Sequence, residues 1–364
     1  MEIKSGMRQM AEGNTPICLA ATRRDSRQSG RSQNQFMNIL ITGGAGFIGS
    51  HVAAFHLERG DEVVVVDDLS TGSPANLEAF KSHPRFRFVH ADLLEWPGLA
   101  GAVKVADRIY HLAAVVGMFR VLKDPVRITK VNVGATEALL EAAATSGHLP
   151  QVVIASSSSV YGHSEAKELG EEDDVVFTPH DGGLTGYGLS KLVNEIQAHA
   201  YCESFGLPIA VARLFNAAGP RQTGTYGFVV PRFVQEAVNG EPLTVFGDGT
   251  QTRSFCDVRD TVAALDLLAG CPAAYGVPVN VGTTREISIL DLAKLVIERT
   301  GSSSEISFIP FEEAYGAHFE HIMRRRPVIT RLQALTGFRP RFTLENTIDD
   351  LVAPRRSEPL HAHA

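Results

Sequence analysis

A glycine-rich segment near residue 45 constrains the fold of this chain more than any other feature. It reads T-G-G-A-G-F-I-G over residues 42–49, between an apolar stretch of strand length and an amphipathic stretch of helix length. Gly43 permits a tight turn, Gly46 lets backbone N–H groups approach a pyrophosphate, and Gly49 allows close helix–strand packing. Because such glycines also occur in ordinary loops, the prediction of a dinucleotide site depends on its context. The cofactor-binding residues predicted in this loop are Gly43, Gly46, Phe47, Ile48 and Gly49.

Two aspartates end the second predicted strand and supply that context. Asp67 lies 21 residues after the middle glycine of the loop, and Asp68 follows it. A carboxylate at this place accepts hydrogen bonds from the ribose diol of an adenosine and repels a phosphorylated ribose, which favours NAD over NADP. Asp92 and Leu93, after the third predicted strand, are predicted to lie near the adenine.

Stretches of strand length and helix length alternate over the first two thirds of the chain. The predicted strands are 38–42, 62–67, 85–90, 107–111, 151–156 and 208–213. The predicted helices are 47–59, 76–81, 124–146 and 186–205. Alternation of this kind, with strongly apolar strands, predicts an α/β fold with a doubly wound parallel sheet covered on both faces.

The sequence changes in character after Phe215, with shorter elements and more Gly and Pro. The clearest elements there are helices at 229–239, 260–268 and 289–299 and a strand at 243–246. They predict a smaller C-terminal α/β lobe packed over one end of the sheet. We expect a dinucleotide-binding domain at 37–216, this second lobe at 217–351 with some segments returning to the first domain, and a flexible tail at 352–364. Residues 1–36 are expected to form a disordered extension, with a transit peptide as the alternative.

Composition and charge argue against several classes of partner. The formal charge of −7 disfavours nucleic acid and anionic membranes, and no apolar run approaches the length of a membrane span. The four cysteines form no C-x-x-C pair and the histidines no H-E-x-x-H motif, so we assign no metal and expect a cytoplasmic protein with reduced thiols.

A tyrosine and a lysine lie one helical turn apart in the predicted helix 186–205. Tyr187 and Lys191 project from one face of that helix. An ammonium near a phenol stabilises the phenolate and lowers its pKa from about 10 toward neutrality, which makes the phenol a usable general base. The serine run at 156–159 follows the fifth predicted strand, at the sheet edge where doubly wound folds bind ligands.

In combination these motifs resemble the extended short-chain dehydrogenase/reductase family, and specifically its nucleotide-sugar 4-epimerases. The resemblance extends from about residue 38 to about residue 351. It implies that Ser157 bonds the sugar 4-OH and that Tyr187 removes its proton while the C4 hydride passes to NAD. Lys191 would hold the nicotinamide ribose and lower the pKa of Tyr187. The remaining residues that the resemblance assigns to the cofactor region are Leu112, Ala113, Ala114 and Asn132.

The resemblance also implies that a UDP-sugar binds mostly through the second lobe, 217–351. Arg253 and Arg325 resemble arginines that clamp a diphosphate, for which guanidinium groups suit because they form charge-assisted, bidentate bonds to phosphate oxygens. By itself the run that contains Arg325 is more typical of a solvated basic turn. The remaining substrate contacts implied by the resemblance are Ser158, Ser159, Asn216, Thr244 and Phe246, the last two in a strand that is similar to one packing on a uracil ring.

Two serines favour one reaction over its relatives. The related 4,6-dehydratases carry an Asp-Glu pair where Ser158 and Ser159 stand, and the related decarboxylases carry a Glu at the second of these positions. Serine hydroxyls cannot supply the additional acid and base near neutral pH, so the sequence favours 4-epimerisation over dehydration and decarboxylation. Thr223 and Thr225 stand where an arginine partner for a uronate is expected, which favours a neutral UDP-hexose. The alternatives are UDP-glucuronate 4-epimerisation, another nucleotide-sugar oxidation or decarboxylation of the same family, net redox turnover, and a non-catalytic NAD-binding role. The family implies a homodimer, with 124–146 and 186–205 as candidate interface helices.

Overall fold

The computed structural model describes residues 36–117, 125–178, 182–224, 227–315 and 322–356. The extension expected at 1–36 lies outside the described residues apart from Phe36, and the end of the expected tail, 357–364, also lies outside them.

The strands and helices of the described residues follow the predicted alternation. The strands are β1 (Asn38–Thr42), β2 (Glu62–Asp67), β3 (Phe86–His90), β4 (Arg108–His111), β5 (Gln151–Ser157), β6 (Ile209–Leu214), β7 (Ala217–Ala218), β8 (Leu243–Phe246), β9 (Thr252–Ser254), β10 (Cys256–Asp257), β11 (Pro278–Val281), β12 (Glu286–Ser288), β13 (Ile306–Ile309) and β14 (Arg324–Arg325). The α-helices are α1 (Phe47–Glu58), α2 (Leu99–Val105), α3 (Pro125–Ala144), α4 (Gly182–Phe205), α5 (Val229–Asn239), α6 (Val258–Ala269), α7 (Ile289–Thr300), α8 (Phe311–Tyr315), α9 (Thr330–Thr336) and α10 (Leu344–Arg356).

Seven of these strands form one parallel sheet, in the order β11-β6-β5-β4-β1-β2-β3. The chain passes from β1 to β2 and β3 on one side and then returns to β4 on the other. A crevice therefore opens beyond the carboxyl ends of β1 and β4, where open α/β sheets bind their ligands. The sheet confirms the predicted fold class.

Both faces of the sheet are covered by helices. In β1, Ile39 and Ile41 join the core under α1 and α6, whereas Leu40 joins the core under α2, α3 and α4. This alternation follows from the period of two along a strand, and burial on both faces explains why the strands are almost wholly apolar.

The second lobe has its own core, built from α5, α7, α10 and β8. Helix α10 continues to Arg356 and its Val352 is only 4% exposed, so an ordered helix passes the boundary at which we expected a flexible tail. The apolar side chains of Leu351 and Val352 explain this, because they pack into the core of the lobe.

Segments beyond residue 217 return to the first domain, and one of them completes its sheet. Strand β11 pairs with β6, and α6 and α9 contribute side chains to the core under α1. The fully buried Asn280 of β11 accepts a hydrogen bond from the Tyr161 hydroxyl (2.7 Å) and donates to the carbonyls of Leu169 (2.9 Å) and Val328 (3.1 Å). Neither β11 nor α2 was predicted, and the helix predicted at 76–81 is a 3₁₀ helix, Pro74–Phe80.

Candidate active site

A cavity of about 1230 Å³ opens at the carboxyl edge of the sheet and extends to the second lobe. It exceeds the volume of an ordinary site for one small ligand, which is about 300–1,000 Å³. The predicted site residues that line it are Gly43, Gly46, Phe47, Ile48, Gly49, Asp67, Asp68, Asp92, Leu93, Leu112, Ala113, Ala114, Ser157, Ser158, Ser159, Tyr187, Lys191, Asn216, Phe246, Arg253 and Arg325. Asn132 and Thr244 are not among the lining residues.

The glycine loop is built for close approach. Gly43 has φ +70°, and a Cβ added there would lie 2.6 Å from Ala113 N. A Cβ added at Gly49 would lie 2.4 Å from Gly43 O, so this position also requires glycine. Helix α1 begins at Phe47 without a side-chain cap, which leaves N–H groups of its first turn for an anionic ligand. The loop therefore fits a pyrophosphate.

A buried carboxylate stands at the end of β2, beside the glycine loop. Asp67 accepts hydrogen bonds from Ala45 N (2.9 Å) and Leu69 N (2.8 Å). Burial raises the pKa of Asp67, and these two N–H bonds oppose the rise because they stabilise the charged form. A carboxylate has more acceptor sites than two bonds use, so Asp67 keeps capacity for the hydroxyls of a ribose. Its ribose contact stays a prediction.

Ser157 and Tyr187 are brought together from different elements. Ser157 ends β5 and Tyr187 lies on α4, and both side chains line the cavity, where the Ser157 hydroxyl favours a lower pKa of the phenol. The same serine oxygen accepts a hydrogen bond from Ser159 N (3.1 Å), which fixes the first turn after the strand. One turn along α4, Lys191 Nζ donates to Ala155 O at 2.8 Å. The end of β5 and one face of α4 thus bring Ser157, Tyr187 and Lys191, the predicted catalytic triad, to the same part of the cavity.

The charge environment of this triad differs from our expectation. Burial raises the pKa of Tyr187 to about 12, and the Ser157 hydrogen bond and the charge of Arg325 oppose that rise. Burial also lowers the pKa of Lys191 to about 8, against the influence of Glu195. In the chain alone, burial moves the pKa of this phenol away from neutrality, and Lys191 is not among the groups that shift it, in contrast to our expectation. Arg325 is the cation that favours the phenolate.

Two arginines lie together in the cavity and form a cluster of positive charge. Burial and the neighbouring charge of Arg253 lower the pKa of Arg325 to about 9. Arg325 Nη1 lies 3.4 Å from Ser159 Oγ, and its buried Nε has no hydrogen-bond partner among the described residues. Two like charges held close together are relieved by an anion, so the pair fits a diphosphate. The flanking arginines differ, since Arg324 pairs with Glu286 and Arg326 with Glu168.

Two predicted contacts are placed elsewhere. The Asn132 amide bonds Val115 N (2.8 Å), Val115 O (3.3 Å) and Ser190 Oγ (3.1 Å), so it anchors a loop and α4 instead of reaching a cofactor. Thr244 Oγ1 bonds Glu236, and Thr244 N donates to the same carboxylate (3.1 Å), so its polar groups are used within the second lobe. Both corrections arise because an inward-pointing polar group finds a partner in its own domain first.

The described residues contain no group of three or more His, Cys, Asp or Glu that could hold a metal ion. Within the same ranges, no helix is long and apolar enough to cross a membrane.

Comparison with known proteins decides the family. The model of the NAD dependent epimerase/dehydratase family matches residues 39–282, about two thirds of the chain. The chain belongs to this family. This match confirms two predictions from the motifs, that the cofactor is NAD and that the protein is a nucleotide-sugar enzyme of the epimerase/dehydratase type.

Curated relatives and solved structures of the epimerase/dehydratase family point to different reactions. A UDP-N-acetyl-alpha-D-glucosaminuronate decarboxylase from Bacillus cytotoxicus is 33% identical over 318 residues, 86% of this chain and 96% of the relative. UDP-glucuronic acid decarboxylase 1 from Xenopus tropicalis is 35% identical over 330 residues, 91% of this chain and 75% of the relative. The UDP-N-acetylglucosamine 4-epimerase of Methanobrevibacter ruminantium, in complex with UDP-N-acetylmuramic acid, is 28% identical with a TM-score of 0.79, covering 89% of this chain and 99% of that one. A UDP-glucuronic acid 4-epimerase of Bacillus cereus, in complex with UDP-glucuronic acid and NAD, is 29% identical with a TM-score of 0.76, covering 87% and 98%.

Several residues that line the cavity were not predicted from the sequence, among them a charged pair on α5. Arg232 and Glu236 of α5 line the cavity, and the Arg232 guanidinium lies 4.3 Å from the ring centroid of Phe246. Their only signal is their place on the polar face of an amphipathic helix whose Phe233 and Val234 enter the core. A polar face of this kind is ordinarily interpreted as solvent-exposed, so the sequence could not distinguish them.

Proposed function

We propose that this enzyme catalyses NAD-dependent 4-epimerisation of a UDP-sugar through a bound 4-keto intermediate. The observation that carries the proposal is that the residues directly after Ser157 offer hydroxyl groups to the cavity and no carboxylate. Ser157 and Tyr187 line the cavity together, and the next two cavity positions after the strand end are Ser158 and Ser159. Oxidation and reduction at C4 need only the tyrosine, the serine, the lysine and the cofactor, whereas elimination of water needs an additional acid and base.

Tyr187 and Ser157 would handle the proton of the 4-OH. The serine hydroxyl orients the sugar oxygen, and the phenolate of Tyr187 takes its proton as the C4–H bond breaks. NAD, held by the glycine loop and Asp67, would supply reversible hydride acceptance at C4. Tyr187 would keep the proton and give it back to the sugar oxygen, so that no net oxidation remains. A phenol whose pKa is about 12 is mostly protonated at neutral pH. Cations that enter the cavity would favour its ionised form.

The arginine pair would hold the substrate while the sugar presents its other face. Arg253 and Arg325 can bind the diphosphate through charge-assisted bonds, which leaves the 4-keto sugar free to turn about the bond that joins it to the phosphate. The cavity of about 1230 Å³ gives room for this movement.

A second candidate is decarboxylation of a UDP-uronate, which the curated relatives favour. Oxidation at C4 of a uronate gives a β-keto acid, whose carboxylate leaves as CO₂ while the electron pair passes to the ketone oxygen. Ser159 stands where related decarboxylases have a Glu, and this difference leads us to place epimerisation first.

Product analysis separates these candidates. Purified protein without added cofactor is incubated separately with UDP-glucose, UDP-N-acetylglucosamine and UDP-glucuronate, with Tyr187→Phe as the control. We expect a 4-epimer from one of them, no CO₂, and no product from the control. Release of CO₂ with a UDP-pentose would select decarboxylation, and stoichiometric NADH would indicate net redox turnover. No conversion after NAD is supplied would refute both candidates for these sugars.

We further propose that the enzyme works in the cytoplasm as a homodimer through α3 and α4. On α4, Leu189, Val193 and Ile196 recur at helical spacing and are 40%, 37% and 61% exposed, an apolar stripe that a second copy could cover. Light scattering should give twice the chain mass for the native protein and the single-chain mass for Ile196→Asp. A native monomer at micromolar concentration would contradict the proposal.

A further inference from the structure

A chain of hydrogen bonds begins at the loop after β4 and crosses the domain. Ala113 N donates to Thr42 Oγ1 at 3.3 Å, and Thr42 Oγ1 lies 2.8 Å from His111 Nδ1. On the other side of the ring, His111 Nε2 lies 3.0 Å from Thr136 Oγ1. The Thr136 hydroxyl donates in turn to Asn132 O at 2.8 Å. This chain of hydrogen bonds thus joins the end of β1, at the glycine loop, to α3.

The chain continues from α3 to the helix that carries the triad. Asn132 Nδ2 donates to Ser190 Oγ at 3.1 Å. The Ser190 hydroxyl donates to Tyr187 O at 2.8 Å. The path therefore starts beside the cofactor loop and ends on the backbone of Tyr187.

The members of this chain are removed from solvent. His111 is 1% exposed and Ser190 3%, and Asn132 and Thr136 are fully buried. These four residues are not among those that line the cavity. Because they do not line the cavity, they act on the reaction through residues that do, among them Tyr187 and the cofactor loop.

The ring of His111 has one tautomer that satisfies every donor. The Thr136 hydrogen is used on Asn132 O, so Thr136 Oγ1 accepts from a protonated Nε2. Nδ1 then carries no hydrogen and accepts from Thr42, whose oxygen already accepts from Ala113 N. In the Nδ1–H tautomer, the ring would donate to Thr42 Oγ1, and the Thr42 hydroxyl hydrogen would then have no acceptor among the described residues. Burial, assisted by the charge of Lys191, lowers the pKa of His111 to about 3, which keeps the ring neutral.

We propose that His111, held as the neutral Nε2–H tautomer, is a positioning residue that fixes the Tyr187 backbone relative to the cofactor loop through this one-directional chain. All six donors point the same way, from Ala113 to Tyr187, so removal of the ring interrupts the connection at its centre. The kinetic part of this proposal rests on the proposed function, whereas the tautomer does not.

The kinetic test uses His111→Phe, which keeps a ring of similar size but has no hydrogen-bonding nitrogen. We expect kcat for the nucleotide sugar to fall about 10- to 100-fold with little change in KM, because a displacement of the base by a fraction of an ångström is costly in rate. Thr136→Val interrupts the same chain one step further along and should lower kcat in the same direction.

A second buried histidine offers a matched control. His56 is also 1% exposed and bonds with both ring nitrogens, to Asp61 Oδ2 (2.7 Å) and the Tyr110 hydroxyl (2.9 Å), but it lies outside the cavity lining. His56→Phe should destabilise the fold and leave kcat per folded molecule unchanged. If His111→Phe and His56→Phe lower kcat equally, or neither lowers it, His111 has no positioning role.

A spectroscopic readout is independent of turnover. In ¹⁵N-labelled wild-type protein, the His111 ring signals, assigned by their loss in His111→Phe, should show a protonated Nε2 and an unprotonated Nδ1 that do not titrate from pH 6 to pH 9. A protonated Nδ1, or titration near the ordinary histidine pKa of about 6.5, would overturn the proposal. A wild type that shows the expected tautomer but converts no nucleotide sugar would refute the proposed function and, with it, the kinetic role.

Discussion

Replacing Glu195 by Gln tests how the buried charges behind the triad are balanced. The Glu195 carboxylate is buried between α4, β5 and β6, where Arg213 Nη2 donates to Oε2 (2.8 Å) and Nε donates to Oε1 (3.0 Å). The Ser156 hydroxyl also donates to it. The Gln variant keeps the shape and one acceptor oxygen but removes the negative charge.

The magnitude follows from burial. Arg213 is 5% exposed, and the variant would leave its guanidinium without a counter-charge, which costs about 3–5 kcal/mol for a buried pair. Glu195 also raises the pKa of Lys191, so its loss lowers the pKa of the ammonium further below about 8. If the reaction needs the charged lysine, its rate is at its maximum below the pKa of Lys191 and falls as the pH rises above that pKa. The alkaline limb of the pH–rate profile should therefore move to lower pH, and every unit of movement corresponds to about 1.4 kcal/mol.

The assay combines urea unfolding with pH–rate profiles of kcat, measured where the variant is folded. Ser156→Ala is the control, because it removes one hydrogen bond and leaves the charges in place. We expect it to cost about 1 kcal/mol and to leave the alkaline limb unchanged. If Glu195→Gln costs less than about 1 kcal/mol and its profile matches that of the wild type, our reasoning about this buried pair is refuted.

Three further predictions concern the cavity. Asp67→Ala removes the acceptor at the end of β2 and should lower the NAD retained per purified chain, and unchanged occupancy would remove the ribose assignment. Arg325→Met should raise KM for the nucleotide sugar about 10- to 100-fold, the worth of a charge-assisted bond of about 1.5–3 kcal/mol. Arg324→Met, whose partner is Glu286, should not raise it, and equal effects in steady-state kinetics would contradict a specific clamp. Gly49→Ala places a Cβ 2.4 Å from a loop carbonyl and should release NAD, whereas Gly101→Ala meets nothing within 4 Å and should be neutral. NAD content after desalting checks both, and retention in the first variant would show that the loop adapts.

The elements that the sequence predicts well are those with a local signature. The glycine loop, the six predicted strands of the first domain and the Tyr187 helix each follow from spacing and apolar pattern within about 20 residues. Strand β11 escaped prediction because its four residues carry no strong alternation and pair with a strand far away in sequence.

The site was harder to predict where burial decides the chemistry. The direction of the Tyr187 pKa shift depends on how completely the phenol is removed from water, a property of the whole fold. The partners of Asn132 could not be predicted for a related reason, since its neighbours in space, Val115 and Ser190, are far from it in sequence.

The place of β11 has a consequence for how the protein is made. As the ribosome releases the first 216 residues, β6 is still an open edge with unpaired backbone groups, because its partner has yet to be synthesised. Asn280, which holds the Tyr161 hydroxyl and the carbonyls of Leu169 and Val328, arrives with that partner. The cofactor-binding half is thus a late-maturing structure, and a fragment cut at residue 216 would expose a strand edge prone to aggregation.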